Sequence, residues 1–159
     1  MTASDIAGIE SALGLRLPEA YVALVCSEEM ESKYGDTELG HGLLFDRNRI
    51  DRENRRYREL PVASDYWDST WLAIHTDGMS NAYFITTDPY DGRIYDFDHE
   101  QTFPGYDPTE SPAFPGMKEF LAHLDAEKSW EEDARSESEK RSSPLQRFLG
   151  WLAGKPRGG

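Results

Sequence analysis

Asp96, Asp98 and Glu100 alternate with Tyr95, Phe97 and His99 along one short run. Side chains alternate faces along a strand, so an extended chain here puts rings on one side and carboxylates on the other. The ring side can pack on a core. The other side is a row of negative charge whose only nearby cation in sequence is Arg93. The chemistry it offers is electrostatic recognition of a basic partner; the plainer alternative is a solvated face of an acidic protein. The preceding turn, punctuated by Pro89 and Gly92, adds Asp88, Tyr90 and Asp91, and Asp65, Tyr66 and Asp68 lie upstream. The candidate partner-binding residues are therefore Asp65, Tyr66, Asp68, Asp88, Tyr90, Asp91, Asp96, Asp98 and Glu100. Large rings among charges carry binding energy best, so Tyr66, Trp67 and Tyr90 are candidate hot spots. Core packing is the competing reading for Trp67, and the favoured one for Trp71.

The charge balance supports a basic partner. The 159 residues carry a net charge of -13. Residues 61–127 hold 13 acids against only Arg93 and Lys118, whereas residues 128–159 hold 5 acids and 7 bases. Nucleic acid and anionic lipid both require basic patches, so neither is an expected ligand. A basic protein would be drawn in faster by such a field.

Other chemistries find no support. His41, His75, His99 and His123 lack zinc-like spacing among themselves or with Cys26. His99 and Glu100 beside Asp96 and Asp98 fix no coordination geometry. The Asp88–Gly92 run lacks the alternating oxygens and closing Glu of a calcium loop. Gly150 to Lys155 has one residue too few between its glycines for a phosphate loop, and Pro156 stands where Ser or Thr must hold magnesium. There is no Gly-x-Ser-x-Gly elbow. No catalytic residue, metal or cofactor is expected. Cys26 ends an apolar run and is expected to be a buried, inert thiol. No apolar run approaches the roughly 20 residues of a membrane span, and Met1–Asp5 opens no secretory signal. A lone cysteine fits a reducing cytoplasm.

The positioning elements follow from periodicity. Ser4 can cap a helix carrying Ile6, Ile9 and Leu13 on one stripe, ended by Gly14. Pro18 opens a second helix to Cys26, with Tyr21, Leu24 and Val25 inward. Ser27 to Gly42 reads as a loop. Leu43–Phe45 reads as a short strand or buried turn. Asp46 is positioned to cap a mostly solvated helix, 47–60, with Ile50, Tyr57 and Leu60 as its apolar residues. Segments 71–75, 82–87 and 93–99, with Asp77–Gly78 as a turn, argue for an antiparallel meander. A loop rich in Pro and Gly leads to a helix ending near Asp125, with Met117, Phe120, Leu121 and Leu124 on one stripe. Ser129 to Ser143 is a linker or a solvated helix. Pro144 to Leu152 is a short amphipathic stretch that either docks on the body or serves as an anchor to a partner or a membrane surface, though it is too short and too weakly basic to hold a membrane well on its own.

In that order the segments resemble the SUKH superfamily of the Smi/Knr type. The resemblance rests on Ile9 to Tyr21 with its Leu17-Pro18-Glu19 turn, Leu43–Phe45, Trp71–Ile74, Asp77–Gly78, Gly92–Tyr95 followed by Asp98–Glu100, and a closing helix 114–124. It covers residues 5–126. Ser27 to Gly35 departs from it, being acidic where relatives often have an Asn-Gly turn. The resemblance implies an α+β domain, a mostly antiparallel sheet with helices packed around it, over 1–127; residues 128–159, read from composition as a charged linker and short amphipathic helix, have no counterpart in it. It also implies a bacterial immunity protein that binds and neutralises a cognate toxin domain, often a nuclease. The alternative within the same type is a general protein-interaction or scaffold module.

Overall fold

A computed structural model describes residues 1–35, 41–59, 66–101 and 105–141, and at 131, 132 and 135–141 the backbone alone. The elements run α1 (Ala3–Leu13), α2 (Glu19–Val25), α3 (Glu28–Tyr34), β1 (Gly42–Leu43), α4 (Arg47–Glu59), β2 (Trp71–Thr76), β3 (Ala82–Thr86), β4 (Tyr95–Phe97), a 3-10 turn (His99–Gln101) and α5 (Met117–Arg141). The sheet has the order β1-β2-β3-β4 and every pairing is antiparallel. This is the expected α+β meander. Among the described residues, no helix is long and apolar enough to cross a membrane.

The local signals held with three corrections. Thr2, not Ser4, caps α1: its hydroxyl accepts the Asp5 N–H while the Asp5 carboxylate accepts the Thr2 N–H. The reciprocal box needs an acid three residues past the cap; Asp5 supplies one for Thr2, whereas Ser4 would have Ala7. Part of the expected Ser27–Gly42 loop is helical: Ser27 accepts the Met30 N–H and starts α3. Its polar residues obscured the helix because only Tyr34 is buried. Cys26 is exposed rather than buried, because α2 ends at Val25 and turns its Tyr21, Leu24 and Val25 inward instead.

The helix α4 departs most from its expected solvated character. Asp46 caps it as expected, accepting the Arg49 N–H at 2.9 Å. Ile50 and Tyr57 are buried, but so are Arg49, Glu53 and Asn54. Asn54 donates to the carbonyls of Ile50 and Ala73 and accepts the Ala73 N–H at 2.7 Å. One side-chain amide thus satisfies both backbone groups of Ala73, beside the register shift between Ala73 and His75. The arginines reach across to α1: Arg58 donates to the Leu13 carbonyl at 2.7 Å and Arg55 to that of Ala12 at 3.3 Å. Carbonyls at a helix C-terminus lack intrahelical partners and carry its negative dipole end, so cations suit them.

The sheet buries aromatic rings on one face. Tyr57 stacks on Trp67 at 4.7 Å, Trp71 stacks on Phe84 at 4.5 Å, and Phe97 meets Trp67 edge-on at 5.3 Å. On the other face Tyr83 packs on Phe120 at 5.0 Å, and Phe120 on Phe114 at 5.2 Å. Phe114 also pairs with Ile94 through two 3.0 Å backbone bonds, covering the start of β4.

Contacts divide the chain into Met1–Phe120 and Leu121–Gly159. In the second unit α5 continues unbroken to Arg141, so the stretch read as linker or solvated helix is helical that far. There His123 lies 3.3 Å from Glu127, and Trp130 is 73% exposed. The expected amphipathic stretch, 144–152, lies outside the described residues.

Candidate interaction surface

Five aspartates in the connecting segments share one geometry. Asp68, Asp77, Asp91, Asp98 and Asp107 each accept, through Oδ1, the backbone N–H two residues ahead. This is the turn that a short carboxylate makes with its own backbone. These acids therefore have a structural reason to be present. In three of them Oδ2 is also engaged: Asp77 by Asn81, Asp91 by the Tyr95 hydroxyl, and Asp98 by Gln101.

The Asp98 turn ends the strand alternation. β4 stops at Phe97, and His99 to Gln101 form a 3-10 turn. Tyr95 and Phe97 are buried together as expected. His99 does not join them; its backbone N–H donates to the Asn81 side-chain oxygen. Glu100 is exposed, on a turn rather than on the carboxylate face of a strand.

Asp96 differs from its neighbours. It lies mid-strand opposite Tyr83 and is exposed, and its carboxylate has no hydrogen bond or ion pair among the described residues. Desolvation by surrounding protein, then the charges of Asp98 and Asp77, hold its carboxyl above the usual range. Asp91, at the other end of β4, is shifted oppositely. Desolvation pushes it up, but the Tyr95 hydroxyl, the Arg93 N–H and the Arg93 charge outweigh that and hold it low. For Asp68 the two bonds from Thr70 lower it in the same way.

The predicted residues thus fall into two groups. Asp88, Tyr90 and Asp91 occupy the β3–β4 connection, where Tyr90 is 39% exposed. Asp88 opens onto a cleft of about 590 Å³ shared with Glu10, Arg16 and Thr70. Tyr66, Asp68, Asp96 and Asp98 are linked around Tyr106. Tyr66 meets Tyr106 edge-on at 6.1 Å. Burial, and then the charges of Asp96, Asp98 and Asp107, raise the Tyr106 hydroxyl, although the Asp98 backbone opposes them. Asp65 lies outside the described residues. Trp67 belongs to the core at 7% exposure, not to a protruding hot spot.

Tyr106 and Asp107 escaped the sequence reading, and Asp77 entered it only as a turn residue. The recurring Asp-x-Thr of Asp68–Thr70 and Asp107–Thr109 was the signal that could have paired Asp107 with Asp68. Among the described residues, no three His, Cys, Asp or Glu side chains gather as a metal site needs.

The family model described as SMI1 / KNR4 family (SUKH-1) matches residues 1–123. The chain belongs to this family. No curated protein matches it. The SUKH-1 match covers the whole sheet, α1 to α4 and the first turns of α5, and so contains both groups of candidate residues. Membership makes this an immunity or Smi/Knr-type protein in general.

Proposed function

We propose that this SUKH-1 protein is a cytoplasmic bacterial immunity protein that binds and blocks a basic toxin domain, a nuclease being the natural kind. The observation that carries the reading is Asp96: a carboxylate without a partner among the described residues, kept exposed where desolvation and the charges of Asp98 and Asp77 disfavour its ionised form. Folding has no use for that charge, whereas a cationic partner would relieve it. Nuclease sites are basic because their substrate is anionic, and an acidic protein can occupy them. The surface binds and does not turn over. Asp96 and Asp98 are its centre, with Tyr66 and Asp68 alongside and Asp88, Tyr90, Asp91 and Glu100 as a rim.

Co-expression with the C-terminal domain encoded by the adjacent upstream gene tests the reading. A stable complex together with growth rescue is expected. A folded protein that neither binds nor rescues removes the immunity reading. A second reading, a general interaction module, is favoured by Trp130, which is exposed on α5 beyond the residues matched by the family. Capture of cellular partners that is lost in Trp130→Ala but retained in Asp96→Lys would support it.

A further inference from the structure

A cleft of about 370 Å³ is lined by Tyr106, whose hydroxyl is raised by burial and then by the charges of Asp96 and Asp98. Its floor is aromatic and buried: Trp67 and Trp71 are 7% and 8% exposed. Half-buried Tyr66 and Tyr106 form its walls. Exposed Asp68 and Asp107 stand at its rim. Of the five turn-forming aspartates, these two have an Oδ2 that accepts no bond among the described residues, since Thr70 and Thr109 both donate to Oδ1 alone. Each carboxylate is therefore oriented by its turn and presents one free oxygen. In addition, among the described residues the indole N–H of Trp67 is buried without an acceptor, which makes its resonance a sensitive reporter at the base of the cleft.

We propose that this cleft seats an arginine side chain of the protein partner. A planar guanidinium stacks on aromatic rings and forks onto carboxylate oxygens, and it is more weakly hydrated than an ammonium. An aromatic lining and two turn-oriented carboxylates offer both kinds of contact. The surrounding charges of Asp96 and Asp98 favour a cation. The inference rests on the reading that the acidic side binds a basic protein, and it names the group recognised.

The test uses the full chain, 15N-labelled, titrated with N-acetylarginine amide and, at matched ionic strength, with the neutral isostere N-acetylcitrulline amide. The Trp67 indole resonance, assigned by comparison with Trp67→Phe, is the readout. The arginine probe should shift it saturably, with a dissociation constant on the order of millimolar for one exposed cation–π contact and its ion pairs. The citrulline probe should not. Asp68→Asn with Asp107→Asn keeps both turns, since Asn forms them too, and should weaken arginine binding about fivefold or more, in line with loss of two charge-assisted bonds. Equal shifts from both probes, or unchanged affinity in the double variant, overturn the proposal. The toxin complex separates the two readings. If the toxin domain binds wild type and double variant equally, the cleft assignment falls and immunity stands. If the toxin domain fails to bind wild type while the arginine probe binds and discriminates, immunity falls and the arginine seat stands.

Discussion

The two sides of β4 are built on different terms. On one side Tyr95 and Phe97 lie in a cluster of rings that includes Trp67, Trp71 and Phe84. Each ring there has several partners, and burial alone accounts for its presence. On the other side Asp96 faces a region dense in acids, most of which are committed to turns. The difference teaches that an acidic composition is not itself a binding surface. A short carboxylate that closes a turn serves the fold. A carboxylate such as Asp96, unpartnered among the described residues and raised by desolvation and like charges, does not serve the fold in that way.

The largest expected effect would break the aromatic side. Trp67→Ala should lose about 3–5 kcal/mol of stability, as truncating a buried large ring does, read from urea unfolding. Near-native stability combined with weakened partner binding would instead make Trp67 a surface anchor and erase the contrast. Asn54→Ala comes next. It leaves the buried N–H and carbonyl of Ala73 without their side-chain partners, at about 2–3 kcal/mol in the same assay. Little change would mean that another group or water takes over the amide's role.

The acidic side should respond in binding rather than in folding. Asp96→Lys should slow association with the toxin domain about tenfold at low salt, with the difference shrinking as salt rises. Its urea midpoint should stay close to wild type. Unchanged association would return Asp96 to a merely solvated face.

The smallest effect concerns pH. The raised carboxyl of Asp96 means that the folded protein holds this proton more tightly than the unfolded chain, whose value is about 3.9. Stability from this group is therefore present below about pH 3.9 and lost as pH rises through the folded value. Asp96→Asn should be slightly more stable than wild type at pH 7, by about 0.5 kcal/mol or less for an exposed site. The advantage should vanish near pH 3.5. A thermal melt showing the same advantage at both pH values would rule out ionisation as its source.

Much of the fold was legible because it rests on local rules. Gly14 ends α1 at a φ of 67°, Asp46 caps α4, and Asp77–Gly78 turns between β2 and β3. Period and punctuation also revealed the three-strand meander. Trp67 was the ambiguous ring: alternation cannot tell whether a Trp just ahead of a strand meets the core or a partner, and Tyr57, ten residues upstream, decides it by stacking on it. α4 was misjudged because Asn54 and the arginines read as polar along the helix, while the carbonyls that they serve belong to β2, to α1 and to Ser69.

The sequence by itself determined the charge, the order of elements and the type of most turns, since each depends on residues within a few positions of one another. It also determined that aromatic and acidic residues alternate through Asp96. Only the tertiary structure decided which acids remain available. Hydrogen bonds from Thr70, Asn81, Tyr95, Gln101 and Thr109 engage some carboxylate oxygens and leave others free, and the position of Tyr106 near Asp96 and Asp98 depends on segments brought together from across the chain. Whether a carboxylate binds or merely caps is set by the donors around it, and folding places those donors.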